Sequence, residues 1–143
     1  MTFILRPPSS DKEFEEYFNF RWKNLRKPMG LEQGSEKDEL ENSAFHIAAF
    51  QENKIIAVGR LQTENSATAR IRYMAVGKPY RKQGIGSAIL ASLEENAIKN
   101  NVQNCWLLAR EEAIPFYLKN NYEVKGVADS DLVIKHRRME KIF

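Results

Sequence analysis

Cysteine is nearly absent: Cys105 has no second thiol to pair with in the chain, and its setting in the apolar "CWLLA" predicts a packed strand residue rather than a nucleophile. Long apolar runs are missing as well. No stretch approaches the length needed to cross a bilayer, and "MTFILRPPSS" offers only three strongly apolar residues in a row before Arg6, too few for a signal-peptide core. A soluble, cytoplasmic protein without a membrane partner is expected. Nor is there a strong excess of one charge. The 22 Lys and Arg face 19 Asp and Glu, for a net charge of +3, which suits an anionic ligand but not a dedicated nucleic-acid binder. No repeat, low-complexity tract or linker interrupts the chain, so one domain over residues 1–143 is expected, long enough for one sizeable core.

What the chain does have is clear periodicity. "TFIL" reads as a short strand before two prolines, and Ser10 with Glu13 has the spacing of a capping box. Phe14, Phe18, Trp22 and Leu25 follow at helical spacing and predict a helix to about Leu25 with one buried face. Residues 27–43 are polar and weakly periodic, which predicts a loop with at most one short helix. "AFHIAAF" and "KIIAVGRLQ", joined at Glu52-Asn53, and "TARIRYMAV", after Asn65-Ser66, predict an antiparallel meander. From about Gln83 to Asn100 the period is helical, with Ile85, Ile89, Leu93 and Ala97 on one face. "NCWLLA" is then a strand and "AIPFYLKN" a short helix. "YEVKGVA" and "LVIKHRRME" close as a hairpin around Asp129-Ser130-Asp131, its basic stretch read as a solvated strand. The fold class is therefore α+β, a mixed α/β arrangement on one mostly antiparallel sheet.

The segment that carries chemistry is "VGKPYRKQGIGSAIL", where a strand feeds a helix through Lys78, Arg81, Lys82, Gly84 and Gly86. A dinucleotide fingerprint would need a third glycine where Ile89 stands, and the Gly-Lys-Ser/Thr of a Walker loop is absent. There remains a turn that lets backbone amides approach an anion at a helix N-terminus, as a pyrophosphate requires. Glycines that merely shape the turn are the competing reading of this pair alone.

Further residues narrow the choice. Arg81-Lys82-Gln83-Gly84-Ile85-Gly86, preceded by the strand "IRYMAV" and followed by a helix, resembles the signature of the GNAT superfamily of acyl-coenzyme A N-acyltransferases. Downstream, Ala113, Phe116, Tyr117 and Tyr122 in "AREEAIPFYLKNNYEV" stand at the spacing of that family's second motif. The resemblance covers roughly residues 44–128. It implies a twisted, mostly antiparallel sheet of about six to seven strands flanked by helices. It further implies a β-bulge in the strand before the glycine turn, and coenzyme A entering beside that strand.

By this resemblance the backbone of Met74, Ala75 and Val76 would pair with the pantetheine arm, and the Val76 N–H would point at the thioester carbonyl. The amides of Lys82, Gln83, Gly84, Ile85, Gly86 and Ser87, beside Arg81, would hold the pyrophosphate, and Phe116 would flank the coenzyme. Tyr117 would protonate the departing thiolate, a role for which a phenol, protonated at neutral pH, is suited. Acetyl-CoA would be the co-substrate, with no metal. The acceptor would be a primary amine, on a small molecule or else on a protein or peptide, attacking directly in a ternary complex. A noncatalytic acyl-CoA-binding module is the rival class, and a homodimer is left open. The family's strand glutamate is missing, since Arg70 occupies its position. His46, Glu64, Glu41 and a water chain are the alternatives for the base, although His46 in an apolar strand suits a core histidine better. Arg21 and Arg26 could bind an anionic group of the acceptor, or be ordinary exposed helix charges. Leu108 replaces an asparagine that relatives often use to contact the coenzyme.

Overall fold

The computed structural model describes residues 2–128 and 135–143, and in it every segment with period two becomes a strand of one sheet. In chain order the elements are β1 (Ile4–Arg6), α1 (Asp11–Arg21), β2 (Phe45–Gln51), β3 (Lys54–Thr63), β4 (Thr68–Val76), α2 (Ile85–Lys99), β5 (Asn104–Arg110), α3 (Ile114–Lys119), β6 (Glu123–Ala128) and β7 (His136–Ile142). The strands lie in the order β1-β2-β3-β4-β5-β7-β6. Only β4 and β5 are parallel, so the seven-stranded sheet is mostly antiparallel and flanked by helices, as the GNAT resemblance implied. The turn at Asp129-Ser130-Asp131 lies outside the described residues.

Local chemistry accounts for the elements. Ser10 caps α1 by accepting from the Glu13 amide at 3.1 Å, but the capping box is only half formed. Glu13 accepts from the Ser9 amide and from Arg6 instead. Helical backbone continues past α1 as a π turn over Trp22–Arg26 and a 3₁₀ turn over Lys27–Met29. The fully buried side of α1 is Tyr17 and Arg21, while Trp22 is half-buried, so the expected apolar face is displaced. Glu52 and Asn53 both adopt positive φ, 50° and 67°, the geometry of a tight hairpin whose twist matches its strands.

Two cores sandwich the sheet. On one face α2 buries Ile85, Ile89, Leu90, Leu93 and Ala97 against Ile47, Ile56, Leu61, Ile71, Cys105, Leu107 and Met139, each large apolar side chain contributing about 1.5–3 kcal/mol. Cys105 is fully buried, and burial pushes its thiol up to about 12, in keeping with a packed strand residue. On the other face Tyr17 of α1 packs with Ala48, Phe50, Ile55 and Val58. The basic carboxyl-terminal segment corrects the expectation of a solvated strand. β7 lies between β5 and β6, with His136 and Met139 buried. No helix among the described residues is long and apolar enough to cross a membrane.

Candidate active site

A split in the sheet makes the site. β4 pairs with β5 only over Thr68–Arg70 and Asn104–Trp106; β5 runs on to Arg110 along β7, its neighbour on the other edge, and the second half of β4 has no strand partner on the β5 side among the described residues. A bulge in β4 widens the divergence: Val58 pairs with Ala75 and Arg60 with Arg72, so Tyr73 and Met74 stand opposite Gly59 alone. Tyr73 has φ 57°, a left-handed conformation that costs a non-glycine residue about 1–2 kcal/mol. The bulge also shifts the strand's alternation. Arg72 and Tyr73 face the α1 side, whereas Met74 and Val76 pack with the α2 core.

The Gly77 amide donates to the Ile56 carbonyl at 2.8 Å. Backbone groups alternate sides along an antiparallel strand, so the amide and carbonyl of Val76, one residue earlier, face the opening between β4 and β5. Consistent with this, the Val76 carbonyl accepts from Arg81 Nε at 3.2 Å. The opening runs into a cleft of about 1310 Å³ lined by Met74, Ala75, Val76, Arg81, Lys82, Gly84, Gly86, Ser87, Phe116 and Tyr117. These are ten of the residues singled out from sequence. Gln83 and Ile85 are not on the wall: Gln83 donates to the Pro79 carbonyl and Ile85 enters the core.

Both glycines are needed where they stand. Gly84 is the N-cap of α2 at φ 82°, and no side chain caps the helix, so the partial positive charge of its first amides is left for an anion. A Cβ on Gly86 would lie 3.3 Å from the Phe116 ring, tighter than most contacts, and 3.5 Å from Val76 Cγ2, so the helix start, β4 and α3 close tightly where that atom is missing. Backbone, helix terminus and glycine pattern thus fit the coenzyme that the motif implies.

Tyr117 projects from α3, packed edge-on against Phe116 at 4.9 Å and Tyr122 at 5.8 Å between ring centroids. Its hydroxyl donates to the Met74 sulfur at 3.7 Å, a weak acceptor. Burial pushes the phenol up to about 12, so it holds its proton at neutral pH.

The residues proposed as bases lie elsewhere. His46 Nε2 is 2.7 Å from the Glu41 carbonyl, which can only accept, so that nitrogen carries the proton; Nδ1 faces the Tyr17 hydroxyl at 3.0 Å. Burial, aided by nearby Arg21, holds the ring below its ordinary value of 6.5. Glu41 accepts from Arg21 Nη1 and Arg60 Nη1, each at 2.9 Å, and from the Asp38 amide. Glu64 accepts from Trp106 Nε1 at 2.6 Å. None of the three lines the cleft. Arg21 is 0% exposed and tied to Glu41 and the Glu36 carbonyl, so it is neither a surface charge nor a substrate ligand. Arg26 lines the cleft but donates to the Ser35 and Leu25 carbonyls.

Sequence reasoning singled out Arg70 and Leu108 but missed the wall to which they belong. Arg70, Arg72, Trp106, Leu108, Arg110, His136 and Arg138 line it. Register aligns Arg70 with Trp106, Leu108 with Arg138 and Arg110 with His136, so three strands present these side chains on one face. The signal was the alternation "ARIRYM", "CWLLAR" and "KHRRME", whose meaning depends on strand order. Glu112 is the one carboxylate among the described residues lining the cleft. No cluster of His, Cys, Asp and Glu suited to a metal ion occurs among the described residues.

Comparison with known proteins gives the same family. The uncharacterized N-acetyltransferase YjcF of Bacillus subtilis (strain 168) is 28% identical over 133 residues, which cover 92% of this chain and 94% of the relative. The crystal structure of PaiA N-acetyltransferase from Thermoplasma acidophilum in complex with coenzyme A superposes with a TM-score of 0.80 at 17% identity, over 100% of both chains. That of an aminoglycoside 6'-N-acetyltransferase complexed with coenzyme A gives 0.81 at 14% identity, over 99% of this chain and 97% of the other. The family model described as "Acetyltransferase (GNAT) family" matches residues 8–122, and the chain belongs to that family.

Proposed function

We propose that the protein, acting as one domain, transfers an acetyl group from acetyl-CoA to a primary amine of a small molecule by direct attack in a ternary complex. The observation that carries this reading is the split between β4 and β5, along which the outward Val76 amide, the uncapped start of α2 and the Tyr117 hydroxyl share one cleft. The structures of PaiA and the aminoglycoside enzyme with coenzyme A support the choice of co-substrate by fold. The cleft has the concavity of a small-molecule site. The unpaired edge of β4 would accept the pantetheine arm as an added strand, and the first amides of α2 with Arg81 and Lys82 would hold the pyrophosphate. The Val76 N–H would stabilise the negative charge growing on the thioester oxygen. Tyr117 would donate its proton to the departing sulfur, a small change for a hydroxyl already bonded to one. With Arg70 in place of a strand carboxylate, the ammonium proton is left to water.

The test compares two substitutions at Gly84. Gly84→Ala forces a side chain into φ 82° and should cost about 1–2 kcal/mol of stability while keeping coenzyme binding. Gly84→Asp adds a negative charge beside the helix terminus and should abolish binding measured by calorimetry. An aspartate variant that remains folded and binds within about threefold of wild type would remove the pyrophosphate assignment. Thiol release dependent on an added amine separates an enzyme from a noncatalytic binding module.

A further inference from the structure

Positive and negative residues nearly balance over the chain, yet the cleft wall built by β4, β5 and β7 is cationic. Its charges are not equally occupied. Arg72 is paired with Asp38 at 3.1 Å, and Arg26 is spent on carbonyls. Among the described residues Arg138 pairs only with Glu140, two residues along its own strand, with 41% and 32% of the side chains exposed; such a pair contributes little. The side chains of Arg70 and Arg110 make no hydrogen bond or salt bridge among the described residues, and Arg70 Nε is buried without a partner. Burial, with Arg72 nearby, lowers Arg70 to about 10.

The two arginines that flank Trp106 are held for use. The guanidinium carbon of Arg70 lies 4.5 Å, and that of Arg138 4.0 Å, from the centroid of the Trp106 ring. A guanidinium resting on an aromatic face keeps its N–H edge available for a planar oxyanion. The ring is fixed in turn by its bond to Glu64. A wall whose Arg70 feels Glu64 without a hydrogen bond or ion pair to it, and whose Arg138 has only an exposed pair among the described residues, keeps a desolvation and repulsion cost that an anionic ligand removes.

We propose that this wall is the specificity site for the acceptor, and that the acceptor is an amine carrying a carboxylate or phosphate at its far end, bound by the Arg70 and Arg138 guanidinium groups that rest on Trp106. The inference rests on the acetyl-transfer reading of the cleft. At about 3.3 Å per residue, Arg70 and Val76 are separated by at most roughly 20 Å of strand, shortened by the bulge at Tyr73 and Met74. The anion therefore stands well away from the reacting nitrogen, not on the adjacent carbon.

Initial rates of thiol release from acetyl-CoA should be compared for ε-aminocaproate, aminohexyl phosphate, hexylamine and the dication cadaverine. One or both anionic amines should exceed hexylamine and cadaverine in kcat/KM by roughly tenfold or more, as a charge-assisted hydrogen bond provides, and their ranking distinguishes carboxylate from phosphate. Arg70→Gln should shrink that preference to about threefold, chiefly through KM, with coenzyme affinity by calorimetry little changed. Hexylamine or cadaverine as the best substrate, or a preference that survives Arg70→Gln, overturns the proposal. So does a tenfold loss of coenzyme affinity in Arg70→Gln with the preference intact, which would make Arg70 a coenzyme ligand. A binding arm works without turnover: inorganic phosphate and glutarate titrated into the coenzyme complex should bind wild type and not Arg70→Gln/Arg138→Gln. Absence of binding to wild type also overturns the anion site. Thiol release with no amine at all, while coenzyme binds, condemns the acetyl-transfer reading instead.

Discussion

Replacing Tyr117 by phenylalanine removes one oxygen and leaves the ring where it is. The hydroxyl makes a single 3.7 Å bond to the Met74 sulfur, and the edge-on contacts with Phe116 and Tyr122 survive the change. The stability loss should not exceed about 1 kcal/mol, a shift of roughly 4 °C in Tm for a chain of this size. If the phenol donates to the leaving sulfur, its removal should lower kcat about a hundredfold, equivalent to about 2.7 kcal/mol. KM and coenzyme affinity should move little, the pattern of an interaction made mainly in the transition state. The pH profile gives an independent reading. With the phenol raised to about 12 by burial, wild-type kcat should show no loss attributable to Tyr117 below about pH 10, where an ordinary tyrosine begins to ionise. The assay is steady-state thiol release with the best acceptor, beside calorimetry of coenzyme binding. A phenylalanine variant at the wild-type rate would assign the proton to water and reduce Tyr117 to packing. Parallel losses of affinity and rate would make it a binding residue.

The charge cluster under α1 should be sensitive to removal of one member. Glu41→Gln leaves Arg21, fully buried, without its ion pair and Arg60 with Asp38 alone, and should lower stability by about 3–5 kcal/mol in urea unfolding; a loss below about 1 kcal/mol would show the cluster to be dispensable. Acid should also weaken the fold before its carboxylates protonate. His46, walled in by Tyr17, Phe14, Phe18, Arg21, Glu41 and Arg60, has a folded value below the unfolded 6.5, so the unfolded chain takes the proton first. Its contribution should be complete above about pH 6.5 and lost as pH falls through the folded value. Glu13, held down to about 2 by Arg6, acts only below its ordinary 4.5. Urea midpoints at about pH 7.5 and pH 5 should differ for wild type and converge for His46→Gln; equal slopes in the two proteins would refute the assignment.

What was legible in the sequence is what neighbours in the chain decide. The Glu52-Asn53 turn, the α2 face from Ile85 to Ala97 and the strand-to-helix position of the glycine turn depend on contacts within a few residues, and each has the conformation expected. The burial of Arg21 and Arg60 was not legible because their partners, Glu41 and Asp38, are about twenty positions away. Helical spacing alone pointed to Trp22. The bulge in β4 was expected from the family resemblance, but its place at Tyr73 was not, since a bulky aromatic is a poor candidate for positive φ. Its ring lies under the guanidinium groups of Arg21, Arg26, Arg60 and Arg72, partners gathered from three segments. The cationic wall was hidden for the same reason: its arginines are ordinary alternations until strand order sets β4, β5 and β7 side by side.

That strand order has a consequence for folding. β7 follows β6 in the chain yet lies between β5 and β6, and its Met139 fills a fully buried place in the main core. A folding chain in which β7 has not yet docked therefore exposes β5 and β6 with two open edges and an unfilled core, a target for chaperones or for aggregation. A premature stop codon upstream of His136 would not trim a margin. It would delete the middle of the half-sheet, leaving β6 without the one strand it pairs with among the described residues.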